Sequence, residues 1–344
     1  MDASKKPMAK DLVPRLVPLI VILAAHLAIG SLAPAPAAPG RASLFPQLHA
    51  GDKLSYLVQY RIQKNVKTES RVVSPSGPQD ARTDAQWILH LEVLDVHPQG
   101  DRATIHARSY FQGVNSVASG NSVPAREVPQ PSPPEDSKFV EFTILPDGHA
   151  DSVTGLAAIF PEQREAWQQW LRQFAIAAVF PKDGVKRGQT WKSTELEQAQ
   201  SPIDKLQWEK TFTYVRDEPC APTPMEDTNT VAEQKSQRES CAVILTKALL
   251  KQKSSPKDTT PPDFKLHALH TTGNATGSNE TISYIASRTG LVMRVTEDAK
   301  QFMDVVIAKS DGTNQVHYNV AAASHSEVLL LTSPSLVVTP PPQP

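Results

Sequence analysis

The sequence predicts a mainly β fold of the α+β class. The expected architecture is a curved antiparallel sheet or open β-barrel with one amphipathic helix packed on it and long Pro-rich loops. About ten segments alternate apolar and polar side chains with the period of two that is typical of half-buried strands. A single segment carries the helical period instead. Helices and strands do not alternate along the chain, which argues against a parallel α/β sheet.

The amino terminus has the parts of a secretory signal peptide. An apolar run at 16–33 and the small-x-small sequence Ala35-Pro36-Ala37 follow four basic residues, Lys5, Lys6, Lys10 and Arg15. Residues 1–37 are therefore expected to be a signal peptide. Because a run of this length approaches the ~20 residues that span a bilayer, an uncleaved membrane anchor is the alternative. In both cases the protein is expected outside the cytoplasm, in the periplasm or secreted.

Proline-rich stretches define the expected domain organisation. Residues 38–50 are expected to be a linker, and residues 51–331 a single β-rich domain. The 30 prolines of the 344-residue chain cluster in a few places, which predicts loop inserts at 113–137 and 216–262. Residues 332–344 are expected to be a disordered Pro-rich tail.

Residues 53–66 are the first predicted strand. Its apolar side chains alternate with polar ones, and the alternating set is Leu54, Tyr56, Val58, Tyr60 and Ile62. This spacing places them on one face of a half-buried strand.

The next two predicted strands, 86–96 and 102–112, form a hairpin. A turn at Gln99-Gly100 would join them. The register that follows pairs Leu94 with Ile105, Val96 with Ala103 and Leu91 with Arg108. Both faces of this hairpin then carry apolar side chains, so the sheet is expected to be covered in part on both sides.

Residues 161–179 are the predicted helix. Pro161 suits the first helical position, and Pro181 follows the predicted end. Trp167, Trp170 and Phe174 recur at the helical spacing of one apolar face. Such a face is too apolar to remain in water, so the helix is expected to dock on the sheet.

The carboxy-terminal third predicts a long hairpin. Asp311-Gly312 is a strong turn signal, because both turn positions need a positive φ. Pairing about this turn places three apolar pairs on one face: Ile307 with Val316, Val305 with Tyr318 and Met303 with Val320. The other face pairs Val306 with His317 and Asp304 with Asn319 and is expected to face water.

The two cysteines, Cys220 and Cys241, are too few for a zinc site and too far apart for a redox Cys-x-x-Cys pair. In an exported protein they are expected to form a disulfide. The alternative is two unrelated thiols, with Cys241 buried as a small apolar residue at the start of a strand.

Composition and motifs exclude several classes of function. With 35 basic and 36 acidic residues the net charge is -1, which removes the electrostatic basis of nucleic-acid binding. The sequence has no serine-hydrolase elbow, zinc-protease motif or Gly-rich phosphate loop. The chain is therefore expected to be non-enzymatic and to have no metal site or cofactor. A hydrolase remains an alternative, because catalytic groups also assemble from distant residues.

Three short motifs resemble those of uncharacterised exported bacterial protein families. These families start with a Gly-x-x-x-x-Tyr strand, carry a central Val-x-x-Gly-x-Thr-Trp segment and end with a Thr-Gly-Leu hairpin. The matching residues are Gly51-Asp52-Lys53-Leu54-Ser55-Tyr56, Val185-Lys186-Arg187-Gly188-Gln189-Thr190-Trp191 and Thr289-Gly290-Leu291. The strand-rich pattern is also similar to the open-barrel envelope proteins of the LolA and LppX type, which carry lipids or lipoproteins. This resemblance implies no catalytic residues.

The leading hypothesis is an extracytoplasmic protein whose sheet and helix enclose a groove for a lipid or another apolar ligand. The expected lining is Trp167, Trp170, Phe174, Met303, Val305 and Tyr318. The alternative interpretation is an ordinary core, because amphipathic elements bury one face in any fold. A second hypothesis is an envelope-associated adaptor that binds a protein partner through its Pro-rich loops. Membrane contact is expected only through the amino-terminal segment, if it is not cleaved.

Overall fold

The described part of the chain contains thirteen strands and two short α-helices. The computed structural model describes residues 41–70, 79–100, 102–112, 116–120, 123–127, 138–197, 201–220 and 239–332. The predicted signal peptide and the predicted tail after Thr332 lie outside these residues. The strands are β1 Lys53–Ser70, β2 Gln79–Gln99, β3 Arg102–Gln112, β4 Ser116–Gly120, β5 Val123–Glu127, β6 Val140–Ile144, β7 Ala150–Thr154, β8 Thr190–Leu196, β9 Leu206–Pro219, β10 Ser240–Gln252, β11 Leu269–Ala286, β12 Val292–Lys309 and β13 Val316–Thr332. The helices are α1 Pro161–Phe174 and α2 Pro262–Leu266.

The strands form one antiparallel sheet in the order β7-β6-β3-β2-β1-β13-β12-β11-β10-β9-β8, with β4 and β5 attached beside β2. The first long strand, β1, pairs with the last, β13, so the two ends of the described chain meet in the middle of the sheet. The strands β7 and β8 are its edges, and the sheet is not closed into a barrel. The predicted curved antiparallel sheet with a helix is confirmed.

The predicted carboxy-terminal hairpin has the expected register. Strands β12 and β13 pair Met303 with Val320, Val305 with Tyr318 and Ile307 with Val316. The alternation of side chains therefore continues without a shift through this hairpin. The predicted turn itself is wrong: Gly312 has a φ of 80°, but Asp311 has no positive φ, and the second left-handed residue of this connection is Asn314, with a φ of 54°.

The predicted register of β2 and β3 is wrong. Gln99 pairs with Arg102, so the turn lies one residue later than expected, and Val96 rather than Leu94 faces Ile105. A bulge between Val93 and Asp95 then shifts the pairing again. Because a bulge inserts one extra residue into a strand, pairing counted from the turn fails beyond it.

The face of the sheet that carries Tyr56 and Val58 is called the inner face, and α1 packs on it. The rings of Trp170 and Tyr56 have centroids 5.8 Å apart. Phe142 of β6 and Phe212 of β9 belong to the same buried cluster, although these strands lie near opposite edges of the sheet. The sheet therefore curves around α1, and both edge regions share one core.

The predicted helix 161–179 is shorter than expected. The α-helix ends at Phe174, and a 3-10 turn follows at Ile176–Val179. Ile176 and Ala177 are buried in the core, and Pro181 lies two residues beyond the end of the 3-10 turn. A 3-10 turn at a helix end is common, because it tightens the last turn.

Residues 41–50, which belong to the predicted linker 38–50, pack into the core instead. Leu44, Phe45 and Leu48 are buried in the main core, and Ala42 forms an isolated β-bridge with Val185. The backbone amide of Gln47 donates to the carbonyl of Thr289 over 2.7 Å. These contacts connect residues far apart in sequence, so a local pattern cannot show them.

The two predicted loop inserts also contain strands. Residues 113–137 include β4 and β5, and residues 216–262 include the end of β9 and all of β10. Strand β10 lies inside the sheet, between β9 and β11. The remaining parts, among them residues 221–238, lie outside the described residues.

Cys220 and Cys241 form the predicted disulfide, with their Cα atoms 5.0 Å apart. The cysteines lie after the end of β9 and at the start of β10, next to the paired residues Pro219 and Ser240. Disulfides are typical of proteins that leave the cytoplasm. The bond closes a covalent loop around residues 221–240 and restricts the unfolded chain.

Removing this disulfide is expected to lower the free energy of unfolding by about 3 kcal/mol, because a loop of this size then regains its freedom in the unfolded state. The change is the double substitution Cys220→Ala and Cys241→Ala, which leaves no free thiol. Urea unfolding measures the loss, and reduction of the unchanged protein is the control. A loss of under about 1 kcal/mol in both experiments would contradict the prediction.

Candidate ligand-binding face

The three aromatic side chains of α1 lie inside the main core. Trp167, Trp170 and Phe174 are no more than 2 % exposed. Trp170 stacks on Phe174 with centroids 4.9 Å apart, and Phe142 contacts it edge-on at 5.9 Å. Trp167 donates from Nε1 to Ser109 Oγ over 2.8 Å. For these three residues the structure matches the ordinary-core interpretation.

Met303, Val305 and Tyr318 lie in a second apolar cluster, at the other end of the same inner face. The buried members of this cluster are Ile203, Leu206, Leu250, Ala275 and Val305. Four members are only partly buried, and they are called the open apolar strip: Trp208, Met303, Ile307 and Tyr318. The structure thus divides the six predicted lining residues into two groups of three.

The position of Trp208 shows how the strip is built. It pairs with Leu250, which pairs with Gly277 of β11. A Cβ atom at Gly277 would lie 3.2 Å from Trp208 Cη2, so the indole reaches over β10 to the bare backbone of β11. Trp208 Nε1 donates to Glu197 Oε2 over 2.7 Å, which fixes the ring at the edge of the strip.

Helix α1 covers only part of the inner face. It has 14 residues, whereas β12 has 18. At 1.5 Å per helical residue and 3.3 Å per strand residue, the lengths are about 21 Å and about 60 Å. The other α-helix among the described residues, α2, has only 5 residues. The buried aromatic side chains of α1 belong to the first cluster, and no residue of α1 belongs to the second cluster, which carries the open apolar strip.

A polar belt separates the two clusters. Glu297 of β12 accepts hydrogen bonds from Gln169 Nε2 (3.0 Å) and Gln173 Nε2 (2.8 Å) of α1. Gln169 Nε2 also donates to Ser326 Oγ over 3.0 Å, and Thr281 lies beside Glu297 on β11. These hydrogen bonds attach the polar side of α1 to the sheet. The polar belt therefore forms the boundary of the first apolar cluster.

A cavity of about 740 Å³ opens next to the belt. Residues 63–65 of β1, 80–82 of β2, 300–301 of β12 and 321–323 of β13 line it. By the strand pairings, four of these residues belong to the inner face: Ala81, Lys64, Ala322 and Gln301. The other seven belong to the opposite face: Gln63, Asn65, Asp80, Arg82, Lys300, Ala321 and Ala323. Most of the lining therefore lies on the face opposite the open apolar strip.

The charged groups around the cavity differ in their partners. Arg82 Nε donates to Asp84 Oδ2 over 2.6 Å, and Arg61 Nε donates to Asp84 Oδ1 over 2.5 Å. These two bonds hold the pKa of the Asp84 carboxyl below its usual range. Lys64 and Lys300, by contrast, form no ion pair with any carboxylate that the structure describes. By the strand pairings Lys64 belongs to the inner face and Lys300 to the opposite face, so the two ammonium groups do not form one cationic site.

Burial raises the pKa of Tyr56 in the main core. Its hydroxyl and Trp170 Nε1 have no hydrogen-bond partner among the described residues. A phenol with a raised pKa stays protonated at neutral pH, so Tyr56 serves the core as a neutral aromatic side chain.

The described residues contain no group of three or more His, Cys, Asp or Glu side chains arranged to hold a metal ion. Among the same residues, no helix is long and apolar enough to cross a lipid bilayer.

Sequence reasoning missed Trp208 as part of the inner face, and it missed the cavity that Lys64 and the alanines at 321–323 line. Trp208 alternates with polar neighbours in β9, and Ile307 shares the predicted face of Met303, so both could have been grouped with the strip. Lys64 and the alanines carry no such signal, because the cavity exists only where four strands meet.

Comparison with known proteins gives no family for this chain. No family model matches it, and no curated protein is significantly similar. Lipovitellin, in a structure of its lipid-protein interactions, is 12% identical with a TM-score of 0.35; the alignment covers 82% of this chain and 25% of that chain. The chain thus spans about a quarter of the lipovitellin chain.

Two bacterial structures are also similar. A candidate lipoprotein of Parabacteroides distasonis is 9% identical with a TM-score of 0.26, and the alignment covers 85% of this chain and 98% of that one. The outer membrane protein OprG of Pseudomonas aeruginosa is 7% identical with a TM-score of 0.15, with coverages of 83% and 97%. These TM-scores are too low to assign the chain to any of these groups.

Proposed function

We propose that this chain is an exported protein that binds an apolar molecule, such as the acyl chain of a lipid, along the open apolar strip. The observation that carries the proposal is the partial exposure of Trp208, Met303, Ile307 and Tyr318 beside a cluster that is otherwise buried. Exposed apolar surface of this kind is costly in water and marks binding sites when it is contiguous. The disulfide supports export.

The location of the strip supports ligand binding over core packing. The main core is covered by α1 and by the segment 41–50, whereas no residue of α1 or of that segment belongs to the cluster that carries the strip. An acyl chain lying along β12 and β13 would bury the partly exposed side chains and gain about 0.8 kcal/mol for each methylene group removed from water.

Quenching by a brominated fatty acid tests the proposal, because bromine quenches only tryptophans that it approaches closely. The chain has five tryptophans. Three are buried in the main core, Trp87, Trp167 and Trp170. A ligand in the strip is expected to quench Trp208, so Trp208→Phe should remove most of the quenching while calorimetry still detects binding. Unchanged quenching in Trp208→Phe would place the ligand elsewhere.

Met303→Gln is expected to weaken acyl-chain binding about 5- to 10-fold, because it places an amide where about 1 kcal/mol of apolar contact is otherwise made. Phe302→Gln is the matched control. Phe302 is the next residue on β12, is 42% exposed and belongs to the opposite face of the sheet. Its replacement should leave the affinity unchanged. Equal effects of the two substitutions on the dissociation constant would contradict binding at the strip.

The alternative of partner binding through Pro-rich segments concerns mainly residues outside those described, and no contact of the described residues favours it.

A further inference from the structure

The open apolar strip has a polar boundary on the side that faces the polar belt. Alternate residues of a strand share one face, so the inner-face residues of β12 are, in order towards the belt, Ile307, Val305, Met303 and Gln301. Gln301 is exposed and ends in an amide. An alkyl chain lying on this amide would separate it from water at a cost in free energy. The apolar surface of β12 therefore ends at Met303.

The row of residues paired with Gln301 continues this boundary across the sheet. Gln301 pairs with Gly277 of β11 and with Ala322 of β13, and Ala322 pairs with Lys64 of β1. Gly277 has no side chain, Ala322 has a single methyl group, and Lys64 is exposed. This row therefore offers an alkyl chain much less apolar surface than the row of Met303.

Strand β9 has a similar boundary. Trp208 is its member of the open apolar strip, and the next inner-face residue towards the belt is Lys210. Lys210 forms an ion pair with Glu195 of β8. An apolar chain that extended past Trp208 would therefore meet charged groups.

The strip ends on its other side with the pairing of β12 and β13. Ile307 pairs with Val316, the first residue of β13, and the pairing of the two strands ends at this row. The next inner-face residue of β12 is Lys309, which is exposed and is the last residue of the strand. These two strands therefore carry apolar inner-face pairs only from the row of Met303 to the row of Ile307.

The distance between these two rows sets the length of chain that the strip can contact. Met303 and Ile307 are four residues apart on β12, which corresponds to about 13 Å. An extended alkyl chain advances about 1.25 Å per carbon, the axial component of a carbon–carbon single bond. A chain that lies along β12 and β13 can therefore place about ten carbons on the strip.

We propose that the open apolar strip selects its ligand by length and takes alkyl chains of about ten carbons. This inference rests on the proposed function and narrows it to a class of ligand. Each methylene group on the strip is removed in part from water, which strengthens binding. Methylene groups beyond Met303 or Ile307 gain no such contact, so the affinity rises with chain length and then stays constant.

Calorimetry of the purified full chain with a series of saturated fatty acids tests this inference. The series is octanoate, decanoate, dodecanoate, tetradecanoate and hexadecanoate, each below its critical micelle concentration. Only the chain length varies, because the carboxylate is the same in all five. We expect the affinity to rise about 2- to 4-fold per added methylene group as far as decanoate and to level off between decanoate and dodecanoate.

Gln301→Leu is expected to move this limit to longer chains. It adds one apolar inner-face position, about 7 Å of strand, so the affinity should continue to rise as far as tetradecanoate and stay unchanged for octanoate. Lys300→Leu is the matched control, because Lys300 is exposed on the same strand and belongs to the opposite face. It should leave the limit where it is. Circular dichroism checks that both variants are folded.

The outcomes separate this inference from the proposed function. A constant gain per methylene group from octanoate to hexadecanoate would overturn the length limit and leave the acyl-chain site standing. The same holds if Gln301→Leu and Lys300→Leu shift the limit equally. Failure of all five fatty acids to bind would overturn both.

Discussion

Replacement of Trp170 by alanine is expected to lower the free energy of unfolding by about 4 kcal/mol, as large-to-small changes of buried aromatic residues do. Trp170 is fully buried and contacts the rings of Phe174, Tyr56 and Phe142 at centroid distances of 4.9 to 5.9 Å. Its removal leaves a cavity between α1 and the sheet. Those neighbouring rings belong to separate elements, so the gap cannot close by a local shift.

Trp170→Phe is the informative companion variant. The indole Nε1 of Trp170 has no hydrogen-bond partner among the described residues, so phenylalanine loses volume but no hydrogen bond. We expect a loss of about 1–2 kcal/mol for this variant. Leu249→Ala, at a side chain that is 52% exposed, is the control and should cost under about 1 kcal/mol. Urea unfolding followed by tryptophan fluorescence and circular dichroism measures all three. A loss at Trp170→Ala no larger than at Leu249→Ala would contradict the packing of α1.

The parts of the fold that local patterns determine could be predicted from the sequence. In the β12–β13 hairpin the alternation and the apolar face require one register, and the structure has it, although the turn is not the predicted one with a positive φ at both Asp311 and Gly312. The aromatic face of α1 was predicted for the same reason, because helical spacing alone shows which side is buried.

The errors arose where a distant contact or an irregularity determines the structure. The bulge in β2 has no sequence signature, and it shifts every pair beyond it. The segment 41–50 has no period, and its burial depends on a surface formed by residues after position 180.

Only part of the candidate site could be predicted, because local patterns determine some of its features and distant contacts determine the others. Alternation places Met303, Val305 and Tyr318 on one face, but it does not show how far α1 extends over that face. The main core and the strip occupy different parts of the same sheet face. The six predicted lining residues therefore fall into two clusters, and the polar belt lies between them. The cavity around Lys64 forms only when β1 pairs with β13, which no local pattern predicts.

Replacement of Gly290 by alanine is expected to lower the free energy of unfolding by about 3 kcal/mol, through backbone strain and a steric clash together. Gly290 lies in the turn between β11 and β12 with a φ of 66°, where side chains are disfavoured. A Cβ atom there would lie 2.1 Å from the carbonyl oxygen of Phe45. Because that atom belongs to the backbone, the segment 41–50 must move away from the turn.

Gly312→Ala separates the two causes. Gly312 has a φ of 80°, but a Cβ atom there would meet nothing within 4 Å, so only the conformational cost of about 1–2 kcal/mol is expected. Hydrogen exchange gives a second measurement, since Gln47 donates its amide to Thr289 next to the turn. That amide should lose protection in Gly290→Ala and keep it in Gly312→Ala. Equal protection in the two variants would mean that the segment 41–50 is not held by this turn, and its burial in the core would then need another cause.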